Sequence, residues 1–259
     1  MPGVLVLNGG DEFRPGNEPQ DRVLTAAAGR GPALVVTTAA ARQRPDLAAA
    51  TARRWFSRLG LEIEELPVYS RRDAGSPELS ARAAEAGMLY LCGGDPGLVA
   101  RVLAGSAVWA AALEAWEAGA ALAGSSAGAM ALAERTLVMA RWPRHHQRRA
   151  APALGLVPGL AVVPHYERFG PTWTVSDLPA GLTLLGIDER TAAVWEAGAG
   201  WRALGDGAVT LAGPDGPVRF VAGERLEGIA PPDPAAARRL IERSPAQGRS
   251  SEEAGRGSS

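Results

Sequence analysis

Ala120–Met130 reads AALAGSSAGAM. The short apolar run Ala120–Ala123 feeds directly into Gly124-Ser125-Ser126-Ala127-Gly128, a G-x-S-x-G pattern. A serine on a tight strand-to-helix turn holds a strained backbone, and only small neighbours fit around it. Here every neighbour is Gly, Ser or Ala. Such a turn exposes the Ser126 hydroxyl and points the N–H of Ala127 at a developing oxyanion, with the partial positive charge of a helix N-terminus behind it. The same letters arise where small residues merely let a helix pack closely on a sheet, so the surrounding pattern decides.

Working outward, short apolar runs alternate with helix-like segments. Val4–Leu7 reads as a strand and is followed by Gly9-Gly10, and ALVVTT at 33–38 reads as a second strand. Residues 44–59 carry Leu47, Ala50, Trp55 and Leu59 at helical spacing, with Gly60 as a stop. Leu61–Val68 is a third strand candidate. Ser76-Pro77-Glu78 opens a helix running to about Ala86. MLYLC at 88–92 is a buried-type strand that ends in Gly93-Gly94, and a helical region is expected over 97–118. Regular alternation of this kind implies parallel strands joined by right-handed crossovers, with helices on both faces and ligands at the carboxyl ends of the strands. Three glycine-bearing turns fall at such ends: Gly9-Gly10, Gly93-Gly94 and Gly124–Gly128.

Beyond the elbow the character changes. RWPRHHQRRAAP at 141–152 reads as a basic loop, while Leu160–Val163 and Thr183–Ile187 read as further strands. Between Ala192 and Val221, apolar runs are separated by Gly-Ala-Gly, Gly-Asp-Gly and Pro-Asp-Gly, which are hairpin signals that predict antiparallel strands added to one edge of the sheet. Residues 1–242 are expected to form one α/β domain. Residues 243–259, almost free of large apolar groups, are expected to be a disordered tail.

A serine nucleophile needs a base, and the chain has 3 histidines. His165 follows the run LAVVP, which is expected to end at the same sheet edge as Ser126; His145 and His146 sit in the basic loop. The base needs an orienting carboxylate, and Asp188 and Glu189 close the run TLLGI. Alternation along a strand sends those two side chains to opposite faces, so one of them is expected to reach His165. The order Ser126, His165, acid departs from the α/β-hydrolases, where the histidine comes last.

Composition narrows the field. Lys plus Arg is 27 against 28 Asp plus Glu, for a net charge of -1, so no basic excess points to nucleic acid. Every one of the 27 basic residues is arginine, which removes Schiff-base chemistry and a GxxxxGK[ST] phosphate loop. The 1 cysteine, Cys92, allows neither an intrachain disulfide nor a cysteine-based zinc cluster. It is read as a buried small apolar residue. No run of about 18 apolar residues suggests a membrane span, and Val4–Leu7 is too short for a signal peptide. A cytoplasmic protein without a metal or cofactor is the expectation.

Taken together, these pieces resemble the aspartyl dipeptidase (peptidase E) and cyanophycinase family of serine peptidases. The matching parts are the early strand with Gly9-Gly10, MLYLC with Gly93-Gly94-Asp95, the elbow GSSAGAM, Pro164-His165-Tyr166, and GIDERTA at 186–192. The resemblance implies a three-layer, doubly wound, mostly parallel sheet of the flavodoxin-like, class I glutamine amidotransferase-like type, with extra antiparallel strands in the C-terminal part. It also implies Ser126 as nucleophile, His165 as base, Glu189 as orienting acid, and the N–H groups of Gly94 and Ala127 as the oxyanion hole. Short peptides or isopeptides are the implied substrates. Asp95 and Arg168 are candidate substrate contacts, Arg168 because its planar fork suits a carboxylate. Asp95-Pro96 and the single arginine after His165 depart from the family pattern. They keep open a non-catalytic small-ligand binder of the same fold, and the scaffold alone keeps open an amidase of the glutamine amidotransferase type. The expected partner is a small peptide, with neither nucleic acid nor membrane; a homodimer would be unsurprising.

Overall fold

Along the first half the chain forms β1 (Leu5–Asn8), α1 (Glu18–Ala27), β2 (Ala33–Val36), α2 (Pro45–Arg58), β3 (Ile63–Glu65), α3 (Arg71–Ala74), α4 (Pro77–Ala84), β4 (Met88–Leu91), α5 (Pro96–Leu103), α6 (Ala107–Glu117), β5 (Ala121–Ser125) and α7 (Ala127–Leu132). The second half forms β6 (Ala133–Met139), β7 (Gln147–Pro152), β8 (Val157–Pro164), α8 (Tyr166–Phe169), β9 (Thr174–Ser176), β10 (Thr183–Ile187), β11 (Thr191–Glu196), β12 (Gly200–Gly205), β13 (Ala208–Gly213), β14 (Gly216–Val221), β15 (Arg225–Leu226) and α9 (Pro234–Glu242). This computed structural model describes residues 1–141, 143–213 and 216–242. Trp142, the Pro214-Asp215 part of the last hairpin signal, and the tail expected over 243–259 lie outside the described residues.

The first sheet has eight strands in the order β15-β12-β11-β1-β5-β4-β2-β3. The pairs from β1 through β3 are parallel, and β11, β12 and β15 add antiparallel at the β1 edge. Every residue of β1, β2, β4 and β5 is buried, as expected of a parallel sheet covered on both faces. Alternation along these strands divides the interior in two. Val6, Val35 and Tyr90 pack with Leu24, Trp55 and Phe56 of α1 and α2. Leu5, Leu34, Leu89 and Leu122 face the other way, onto Leu98, Trp109 and Leu132. The three-layer α/β architecture holds.

Four expectations need correction. The hairpin strands of 192–221 do not all add to one edge: β11 and β12 extend the first sheet, while β13 pairs with β10, and β14 with β13, in a second one. The helical region over 97–118 is two helices, α5 and α6, set at 92° to each other. Gly105 at φ 68° turns the chain, and the Ser106 side chain caps α6 by accepting the N–H of Trp109. The basic segment 141–152 is only partly a loop: Gln147–Pro152 is β7, paired antiparallel with β6. Finally, the strand of His165 does not share a sheet with Ser126. It belongs to a second, seven-stranded sheet in the order β14-β13-β10-β8-β6-β7-β9. Its apolar residues Leu160, Val162, Leu185 and Ile187 join the same core as Leu5 and Leu122. Strand periodicity gives a buried face but not the sheet that covers it, which is why the second sheet is not readable from the letters.

Candidate active site

The elbow forms where β5 meets α7. Ser126 sits at φ 48° and ψ −108°, a region that costs a non-glycine residue energy and persists only when the surroundings enforce it. Its N–H donates to the Asn8 carbonyl at 2.9 Å, locking the turn to the end of β1. Close packing explains the small neighbours: a Cβ at Gly128 would stand 2.1 Å from the Leu91 carbonyl oxygen. Ala127 is the first residue of α7, so its N–H has no intrahelical acceptor.

The second sheet delivers the other two groups. β8 and β10 run parallel with Pro164 opposite Ile187, so His165 and the acidic pair leave their strands side by side. Residue 165 takes a left-handed backbone, φ 46° and ψ 48°. The Gly9-Gly10 turn grips both segments, because the His165 N–H donates to the Gly9 carbonyl at 2.8 Å and the Arg190 N–H to the Gly10 carbonyl at 3.0 Å. Gly10 has φ +122°, and a Cβ there would lie 2.3 Å from the His165 ring, so the imidazole occupies the space a side chain would need.

The resulting contacts form a chain. His165 Nε2 lies 3.2 Å from Ser126 Oγ, and His165 Nδ1 lies 2.7 Å from Glu189 Oε1. Between the two acids the structure chooses Glu189. Asp188 turns inward, where it accepts the Ala208 N–H at 3.0 Å and pairs with Arg219 at 3.3 Å. Burial pushes the Glu189 carboxyl upward, but hydrogen bonds from His165 and Arg168 outweigh it and hold the group below the usual glutamate range.

The two candidate substrate contacts are engaged within the chain. Arg168 donates to Glu189 Oε1 at 2.9 Å, the same oxygen that faces His165, so it serves the acid rather than standing free. Asp95 caps α5, accepting the Leu98 N–H at 3.0 Å. Asp95 also lines a cavity of about 910 Å³ with Arg71, Arg101 and Arg149, and none of Ser126, His165 and Glu189 lines that cavity. His145 and His146 are exposed, and among the described residues no group of three or more His, Cys, Asp or Glu is placed to hold a metal. Cys92 is buried, and burial first, then the Glu12 and Glu65 carboxylates, push its thiol well above the ordinary range.

One residue of the site escapes a reading by motif. Glu12, just past the first glycine turn, accepts the Gly93 N–H at 2.9 Å through Oε1 and the Ser125 hydroxyl at 3.0 Å through Oε2. No spacing rule links position 12 to 93 or 125; only its place after a strand-end turn marks it.

Set against known proteins, residues 4–198 match the family model of peptidase family S51. The chain belongs to peptidase family S51. It is 27% identical over 219 residues to the cyanophycinase of Nostoc sp. (strain PCC 7120), covering 82% of this chain and 73% of that protein. It is 28% identical over 219 residues to the cyanophycinase of Synechococcus elongatus, covering 82% and 68%. A solved peptidase from an acI-B1 actinobacterium superposes with a TM-score of 0.74 at 31% identity, over 87% of this chain and 97% of the other. A putative peptidase E from Listeria monocytogenes shares the fold, with a TM-score of 0.51 at 14% identity over 88% and 100%. This S51 chain is therefore a peptidase, and the fold and family expected of its motifs are shown.

Proposed function

We propose that this S51 chain is a serine peptidase that hydrolyses short peptides or isopeptides through Ser126, His165 and Glu189 and an acyl-enzyme. The observation that carries the reading is the continuous path from Ser126 Oγ through both nitrogens of His165 to Glu189, at 3.2 and 2.7 Å. Both lie at or near hydrogen-bond reach for a nucleophile and its base.

Ser126 Oγ attacks the scissile carbonyl carbon as His165 Nε2 takes its proton. Glu189 holds Nδ1–H and stabilises the imidazolium, while Arg168 keeps Glu189 ionised and in place. The oxyanion is received by the N–H groups of Gly94 and Ala127. The C–N bond breaks as His165 returns the proton to the leaving amine. Water, deprotonated by His165, then attacks the ester, releasing the acid and restoring the Ser126 hydroxyl. Loss of one oxyanion donor costs about 10²–10³ in rate. The curated relatives' name makes cyanophycin the first isopeptide to try.

The test is a panel of dipeptides, acidic N-terminal ones included, together with β-linked isopeptides. We expect turnover by the wild type and a loss of about 10³-fold or more in Ser126→Ala. A silent panel, or an active Ser126→Ala variant, overturns the reading.

A further inference from the structure

We infer that Glu12 is a positioning residue that sets the nucleophile elbow and the oxyanion turn in register with each other. The inference rests on the serine-peptidase reading above and adds to it a residue outside the Ser126, His165 and Glu189 set.

The geometry is specific. Glu12 hydrogen-bonds to the residue immediately before each of Ser126 and Gly94. Oε2 accepts the hydroxyl of Ser125, and Oε1 accepts the N–H of Gly93. The partners stand 81 and 113 positions away in sequence, on the neighbouring strand ends of β4 and β5, whose register pairs Leu91 with Gly124. One carboxylate therefore spans the gap between the chain that carries the nucleophile and the turn that carries the Gly94 N–H. The fit is tight: a Cβ on Gly93 would meet Glu12 Oε1 at 2.9 Å and Ser126 Cβ at 3.4 Å.

The loop bearing Glu12 is held under strain. Its two neighbours, Asp11 and Phe13, both have left-handed backbones, at φ 54° and φ 61°. Two such residues flanking a third cost energy that only an over-determining environment sustains. That environment is visible. Phe13 is buried against Phe56 and Tyr90, with ring centroids 5.9 and 5.0 Å away, and the Asn17 side chain donates to the Asp11 carbonyl at 2.8 Å. The chain is thus bent and pinned on both sides of Glu12 so that its carboxylate enters between two turns. Misplacement of reacting groups by about 1 Å can cost about 10²-fold in rate, so a clamp on both turns acts on catalysis without contacting substrate.

Reach rather than charge is the property at stake, and conservative variants separate the two. In Glu12→Gln the amide oxygen still accepts the Gly93 N–H, and the amide nitrogen donates to the Ser125 hydroxyl. In Glu12→Asp the charge stays, but the side chain is one methylene too short to span both turns. The experiment measures the second-order rate of Ser126 labelling by a fluorophosphonate probe, and the hydrogen exchange of the Gly93 amide, in wild type, E12A, E12D and E12Q. We expect E12A and E12D to label about tenfold to 10²-fold more slowly, with faster exchange at Gly93, and E12Q to stay within about fivefold of wild type with Gly93 still protected. Should E12A not fold, the order of E12D below E12Q decides by itself. E12D reacting like wild type while E12Q is crippled would overturn the inference, as would E12A reacting within about threefold of a reactive wild type. A wild-type Ser126 that is inert to the probe and to the whole peptide panel takes down the serine-peptidase reading and the positioning role with it, whereas failure in E12A alone leaves that reading standing.

Discussion

At the scale of single residues, adjacent acids have opposite duties. Asp188 and Glu189 follow one another just past the end of β10, and that one-residue step turns one carboxylate onto the Ala208 N–H and the other onto His165. Glu189→Gln keeps the volume but offers the imidazole the wrong partner. We expect kcat to fall by about 10²–10⁴-fold with little change in melting temperature. Asp188→Asn is expected to do the reverse, costing about 1–3 kcal/mol of stability through a weakened buried network while kcat stays within about threefold. Steady-state kinetics and thermal unfolding of the two variants check the division; a kinetic collapse in Asp188→Asn contradicts it.

At the scale of elements, α1 and α2 meet through a buried polar contact whose ionisation opposes folding. Asp21 of α1 is fully buried and accepts the indole N–H of Trp55 in α2 at 2.7 Å. Its pKa is raised to about 7: burial raises it most, the Trp55 hydrogen bond lowers it, and the Glu12 and Glu18 carboxylates add to the rise. With the folded value above the unfolded 3.8, the folded state binds the extra proton between roughly pH 4 and pH 7. Stability from this group is fully present below the unfolded value and is lost as pH rises through the folded one. The loss is on the order of 4 kcal/mol by pH 8. Asp21→Asn, which still accepts from Trp55, is expected to flatten the slope of unfolding free energy between pH 4 and pH 8, as read by urea titration at each pH. An unchanged slope removes Asp21 as its source. The helices themselves are readable in sequence because their signals are local: Ser76 and Pro77 start α4, and Pro45 starts α2. The break between α5 and α6 is also written locally, in Gly105-Ser106, but an uninterrupted apolar pattern on both sides hides it.

At the scale of the molecule, two sheets share one interior. Leu5, Leu7 and Leu122 of the first pack into the same cluster as Leu160, Val162, Leu185 and Val209 of the second, and the site lies where the strand ends of both converge. The shared cluster couples the second sheet to one face of the first, so calorimetric unfolding is expected to give a single transition with equal calorimetric and van't Hoff enthalpies. Peptidase activity should disappear in that same transition. Two resolved transitions would mean that the sheets are separate folding units.

Chain order and local chemistry alone determine the strand-to-helix alternation, the glycine turns, the elbow around Ser126 and the short set of histidines and acids from which a base can be drawn, because each is encoded within a few neighbouring residues. Tertiary structure decides which sheet carries His165, which of Asp188 and Glu189 meets it, that Arg168 is tied to that acid, and that Glu12 bridges positions 93 and 125. Those outcomes depend on register between strands far apart in the chain, and on which faces are brought to share a core. A one-residue shift in register would reverse them without changing a letter.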